Sequence, residues 1–230
     1  MSTSSKYVVA TVKPWNLAAF SRCVHRLPGV WELIERQEEL TLERIRRIHP
    51  RYVFFPHWSW RVSADIHSHY ECVCFHMSDV PYGRGGSPLQ NLILRGHHTT
   101  MLTALRMIEE IDAGPVYLKQ PLSLEGSAEQ ILSRAADVVY DMIQDIVVRQ
   151  PVPVAQSGDV VQFSRRTPDQ SVLPRFGSPR SLYDFIRMLD APTYPKAFAD
   201  VGDYRIEFDQ AELSSGDVLT ARATFKLKGS

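Results

Sequence analysis

Residues 72–88 read Cys-Val-Cys-Phe-His-Met-Ser-Asp-Val-Pro-Tyr-Gly-Arg-Gly-Gly-Ser-Pro. Cys72–His76 is a short apolar run and predicts a strand. Met77–Ser87, with Pro81, Gly83, Gly85 and Gly86, predicts a loop. Pro88 stands where a first helical position is expected, and Leu89–Arg95 continues as helix. A strand, a glycine-rich loop and a helix in this order define one unit of an α/β sheet.

The same alternation extends outward. Tyr7–Val12, Trp31–Ile34 and Tyr52–Phe55 predict strands, and Lys13-Pro14-Trp15-Asn16 predicts a loop before a helix over Leu17–Arg26. Thr41 with Arg44 to Ile48 predicts a charged, surface-facing helix. Ser63 caps a short helix ending near Tyr70. Downstream, Thr99–Met107 reads as extended. Asp112-Ala113-Gly114-Pro115 reads as a turn and Val116–Leu118 as a strand. Ser127 and Gln130 form a capping box. The helix it opens places Ile131, Leu132, Ala135, Val138, Val139, Met142, Ile143 and Ile146 on one face. The expected fold is a Rossmann-like α/β sheet, largely parallel at first, with flanking helices. Pro151-Val152-Pro153 suggests a boundary between a domain over 1–150 and a small appendage over 151–230. In the appendage Val160–Phe163, Tyr204–Phe208 and Leu219–Leu227 read as strands and Leu182–Leu189 as helix.

The chain has 230 residues, 26 Lys+Arg, 26 Asp+Glu, 12 Gly and 15 Pro, with 44% hydrophobic residues. This is globular composition, which excludes a disordered tail or a collagen-like rod. Residues 151–230 carry ten Lys or Arg and ten Asp or Glu. This balance argues against a nucleic-acid partner or an anionic membrane surface. Three cysteines suggest a reducing compartment, and no apolar run approaches the ~20 residues of a membrane span. A cytoplasmic protein without a membrane span is expected.

His76 ends a strand, where ligands gather in open α/β sheets; alternatively it merely binds a loop carbonyl. Asp112 is either functional or a turn residue bonding its own backbone. The aromatic run at residues 54–60 can stack on a flat heterocycle or serve as packing. The thiols of Cys72-x-Cys74 are expected on opposite faces of their strand, and the His67-x-His69 and His97-His98 pairs are read in the same way. With no zinc-like spacing anywhere, no metal site is expected.

Taken in order, Cys74-Phe75-His76, Pro81 to Pro88 and Asp112-Ala113-Gly114 resemble the folate-dependent formyltransferases. So do Arg165-Arg166-Thr167-Pro168, Arg187 and Tyr194-Pro195-Lys196-Ala197-Phe198 in the tail. The wording FHMSDVPYGRGGSPLQNLI, preceded by FFPHWSW, looks most like the members acting on UDP-linked 4-amino sugars in pseudaminic-acid-type pathways. The resemblance implies formyl transfer from N10-formyltetrahydrofolate to the amine of a nucleotide-linked amino sugar, without a metal. It implies His76, Asp112 and Cys74 as the catalytic set. Pro56, His57, Trp58, Glu109, Glu110 and Ile111 would hold the folate, and Lys13, Trp15, Asn16, Arg84 and Gly85 the sugar nucleotide. A homodimer is compatible with it.

Cys74 stands where the family carries an Asn thought to donate a hydrogen bond to the formyl oxygen. A thiol is a weak donor, so His57, His98, Asn91 or His76 itself would have to replace it. The alternatives are a methionyl-tRNA or other amine formyltransferase, or a non-catalytic homologue that keeps the pocket.

Overall fold

The computed structural model describes residues 4–175, 177–214 and 218–228. The first half builds strands β1 (Lys6–Ala10), β2 (Val30–Ile34), β3 (Tyr52–Phe55) and β4 (Cys72–His76), with helices α1 (Pro14–Cys23), α2 (Leu42–Ile48) and α3 (Ala64–His67) between them. Next come β5 (Tyr82–Gly85), α4 (Pro88–Leu94), β6 (Thr99–Arg106), β7 (Val116–Ser123) and the long α5 (Ala128–Arg149). The tail adds β8 (Val161–Phe163), α6 (Pro179–Arg187), β9 (Ala197–Val201), β10 (Tyr204–Ser214) and β11 (Val218–Leu227).

The chain divides into two compact units, neither of them continuous in sequence. One takes the chain up to Gly85, Met101–Leu122 and Ser133–Gln162; the other takes Gly86–Thr100, Ser123–Leu132 and the chain from Phe163 onward. Pro151-Val152-Pro153 lies inside the first unit.

The first unit is built on a six-stranded sheet in the order β2-β1-β3-β4-β6-β7. Its first four strands are parallel, and β6 pairs antiparallel with β4. This is the expected α/β architecture. The near-continuous apolar runs of β1 and β3 suit strands covered on both faces. One face carries Val8, Ala10, Val53, Phe55 and Cys72, packed with Ile34, Ile45, Ile48, Val62 and Ile66. Ile45 and Ile48 make α2 part of that core, so it is not the surface-facing helix its charges suggested. On the other face stand aromatic rings: Tyr7 stacks on Trp31, Trp31 on Phe54, and Phe54 meets Phe75. Phe54 and Phe55 are therefore core, not stacking platforms.

Three local expectations are corrected. Lys13-Pro14-Trp15-Asn16 is not a loop: Pro14 starts α1, since proline lacks the N–H that a first helical turn leaves unpaired. The loop after β4 contains a strand, β5, which pairs with β8. The thiols of Cys72 and Cys74 do not diverge, because residues two apart on a strand share a face, and both pack against the same cluster. Among the described residues no group of three or more His, Cys, Asp or Glu could hold a metal ion, and no helix is long and apolar enough to cross a membrane.

The second unit contains the three-stranded antiparallel sheet β11-β10-β9. The Ser127–Gln130 capping box forms as expected at the start of α5. Arg187 is only 3% exposed. It binds Asp184 at 2.6 Å and the carbonyls of Leu124 and Gly126 at 2.6 and 2.9 Å. This arginine of the tail pattern is thus an internal clamp. Arg187→Ala strands a carboxylate and two carbonyls in the interior. It is expected to cost about 3 kcal/mol in urea unfolding, as loss of one partner of a buried pair does.

Candidate functional site

His76 is the last residue of β4, at the carboxyl end of the parallel strands. Its ring is held from both sides: Nε2 lies 2.7 Å from the Gly83 carbonyl oxygen, and Nδ1 faces Asp112 Oδ2 at 3.4 Å. Both neighbours are acceptors. A ring carrying a proton on each nitrogen can donate to both, whereas a neutral ring can donate to only one. His76 binds a loop carbonyl, as one reading expects, and it also meets a carboxylate. The side chains of His76 and Asp112 are nearly buried, 9% and 14% exposed.

Asp112 arrives from the loop after β6. That strand ends with the Met107 amide on the Cys72 carbonyl, so the following residues must turn back along β4. Asp112 itself is left-handed (φ +55°), a conformation that costs a non-glycine residue on the order of 1 kcal/mol. Its Oδ2 accepts the Gly85 amide at 2.9 Å, so it does not merely close its own turn. Gly114 is required because a Cβ there would run into the Arg106 carbonyl oxygen.

One residue was missed. Gln156 donates from Nε2 to the carbonyls of Asp112 and Gly114, both at 2.8 Å. Its Oε1 accepts from Arg84 Nε and Nη2 at 3.1 and 2.9 Å. Arg84 Nη1 reaches Glu110 at 3.3 Å. A single Gln in a Pro-rich segment carries no sequence signal of this role.

Burial pushes the Cys74 thiol up from its ordinary range, and the charge of Asp112 adds to the shift. It is a neutral thiol, neither nucleophile nor anion. Burial lowers His57 to about 3, with Lys13 adding to the effect, so His57 is a neutral ring. Trp58 Nε1 is buried with no acceptor among the described residues. Pro56 is engaged through its carbonyl, which accepts from Thr11 at 2.7 Å and Asn16 at 3.4 Å. Trp15 and Asn16 are buried, and Trp15 packs on His57. Both therefore brace the turn after β3 and do not present a binding surface. Glu109, Glu110 and Ile111 are exposed on the loop leading to Asp112. Of the possible stand-ins for the missing Asn, Asn91 gives its amide to the carbonyls of Gly86, Ser87 and Ser164, and His98 is exposed beside Glu125.

The chain is 38% identical to a methionyl-tRNA formyltransferase from Clostridium thermocellum, with a TM-score of 0.94 over 97% of this chain and 99% of that one. It belongs to the formyltransferase family that includes methionyl-tRNA formyltransferase. Residues 168–226 match the model of the methionyl-tRNA formyltransferase C-terminal domain. A methionyl-tRNA formyltransferase from Rickettsia canadensis is 24% identical over 154 residues, 64% of this chain and 50% of that protein. The chain spans about half the length of the curated relatives it matches. A 4-N formyltransferase from Francisella tularensis shares the fold, with a TM-score of 0.65 at 15% identity.

These findings overturn the nucleotide-linked amino sugar as substrate and partner, and with it the exclusion of nucleic acid. The wording around His76 does not separate the two kinds of acceptor, and a balanced total charge does not report how charge is distributed.

Gly114→Ala is expected to lower stability by about 2 kcal/mol, the usual cost of forcing a group into filled space. His57 gives a pH signature. Its folded pKa lies below the unfolded value of about 6.5, so the unfolded chain binds more protons below that pH. Its share of stability is therefore lost as pH falls from about 6.5 towards 3. Thermal melts at pH 7 and pH 4 are expected to diverge less for His57→Gln than for the wild type.

Proposed function

We propose that the chain transfers a formyl group from N10-formyltetrahydrofolate to the α-amine of a methionyl-tRNA. The observation carrying this reading is the near-complete match to the Clostridium thermocellum protein, taken with the His76–Asp112 pair at 3.4 Å.

The residues at the end of β3 suit a flat, hydrogen-bonding heterocycle. Trp58 holds out a buried donor without an acceptor, and His57 beside it is uncharged. Pro56, His57 and Trp58, with the exposed Glu109–Ile111 backbone, are the groups that would hold the folate. The folate supplies the formyl carbon: the acceptor nitrogen bonds to it, its bond to the folate nitrogen breaks, and one proton passes from the amine to that nitrogen.

The chain provides the route for that proton and the charge that balances the step. The step calls for a His76 ring that carries a proton, to stabilise the negative charge developing on the formyl oxygen and to deliver a proton to the leaving nitrogen. Asp112 holds the ring through Nδ1 and helps take the proton from the amine. Cys74 adds no charge. His76 thus carries electrostatic stabilisation that an amide donor would otherwise share.

A tRNA partner requires cations free to meet phosphate. In the second unit Arg205 pairs with Asp200, Lys226 with Glu207 and Arg222 with Asp209. Arg95, Arg165 and Arg166 pair with no carboxylate among the described residues. Arg95 lies over Phe163 and binds Asn91, the Arg166 guanidinium lies over Phe185 and donates to the Gln170 carbonyl, and Arg165 is exposed. A zero sum therefore conceals a local group of arginines.

Incubation with N10-formyltetrahydrofolate and methionyl-tRNA is expected to yield N-formylmethionine by mass spectrometry, and His76→Ala to reduce kcat by at least two orders of magnitude, consistent with loss of an oxyanion donor. No formyl product on methionyl-tRNA would overturn the reading. Arg165→Ala is expected to raise KM for the tRNA about five-fold and to flatten its salt dependence, leaving KM for the folate unchanged.

A further inference from the structure

We infer that Gln156 is a positioning residue that sets Asp112 against His76 and fixes Arg84 beside them, an inference that rests on the formyl-transfer reading above. The argument begins with strain. Asp112 sits at φ +55°, in a turn whose carbonyls at 112 and 114 must find donors. Both Nε2 protons of Gln156 go to those two carbonyls. A primary amide is the neutral side chain that can offer two donors from one nitrogen and an acceptor from the adjacent oxygen.

That oxygen takes the second half of the load. It receives Arg84 Nε and Nη2 together, so the guanidinium plane is fixed. Arg84 stands between Gly83, whose carbonyl holds His76 Nε2, and Gly85, whose amide holds Asp112 Oδ2. Three consecutive residues of β5 thus touch the histidine, the glutamine and the aspartate in turn. Gln156 closes this ring of contacts from outside; without it the carbonyls of Asp112 and Gly114 lose their side-chain donor, and Arg84 keeps only Glu110 among the described residues. A displacement of about 1 Å at such a centre can cost 10²-fold in rate.

Two variants separate the arms. Gln156→Ala removes both. Gln156→Glu keeps an acceptor for Arg84 but turns a carboxylate oxygen toward the carbonyls of Asp112 and Gly114. Both variants are expected to fold, with melting temperatures near that of the wild type, and to lose about 10- to 100-fold in kcat with KM values for folate and tRNA changed less than about three-fold. In an Asp112→Asn background, Gln156→Ala is expected to add less than about two-fold, because it acts through Asp112.

Exchange of the Gly85 amide, which donates to Asp112 Oδ2, reports the placement without any turnover and is expected to accelerate in both variants. Retained Gly85 protection, wild-type kcat in Gln156→Glu, or a full additional loss in the double variant would overturn the inference. Should the wild-type protein transfer no formyl group, the proposed function falls, and Gly85 exchange still decides whether Gln156 places Asp112.

Discussion

His76 is gripped between two acceptors, the Gly83 carbonyl and the Asp112 carboxylate, and much of the first unit is arranged to maintain that grip. A histidine at the end of a strand has its backbone fixed by the sheet, here through parallel β3 and antiparallel β6 on either side of β4. Its side chain can then be aimed only by what the neighbouring loops bring to it. One loop supplies a carbonyl from β5, and the other supplies a carboxylate by folding back along β4. The two loops are tied to each other by the Gly85 amide on Asp112 Oδ2. The partners of the ring therefore follow from backbone placement more than from residue type.

The hydrophobic period carried most of the architecture. Cys72–His76 is the strand expected, Ser63 and Thr41 cap their helices, and Ser127 with Gln130 opens α5. The failures have physical causes. Lys13-Pro14-Trp15-Asn16 was expected as a loop, although proline is compatible with a helix start. The Gly83–Gly85 segment was read as loop, because glycine has no strand preference of its own and only the pairing with β8 makes it a strand. The two thiols were placed on opposite faces against the two-residue period of a strand. β9 was not expected, because Ala197, Ala199 and Asp200 have little strand preference.

The site was legible where a residue type and a chain position spoke together. His76 and Asp112 belong to an ordered pattern, and the structure places them side by side. Trp15 and Asn16 carry equally suggestive side chains, yet both are buried as struts: Asn16 reaches the Pro56 carbonyl, and Tyr140 donates to the Asn16 carbonyl at 3.0 Å. Gln156 lay beyond sequence reasoning because its role exists only once two carbonyls forty-odd residues away have been left without donors. The acceptor class was illegible for a related reason. Summed charge treats the Arg222–Asp209 pair and Arg165, which has no carboxylate partner among the described residues, alike.

Cys74 gives the site its particular balance. Its thiol lies on the same face as Cys72, and burial together with the nearby Asp112 charge keeps it protonated. A thiolate there would place a second negative charge beside Asp112. A neutral thiol leaves the Asp112 carboxylate as the acidic neighbour of His76 Nδ1. It also contributes a small, weakly polar surface near the His76–Asp112 contact. The thiol is a weak donor where the resemblance expects an amide. The contacts that keep Asp112 in place, from the Gly85 amide and the Gln156 side chain, therefore decide how the carboxylate meets His76.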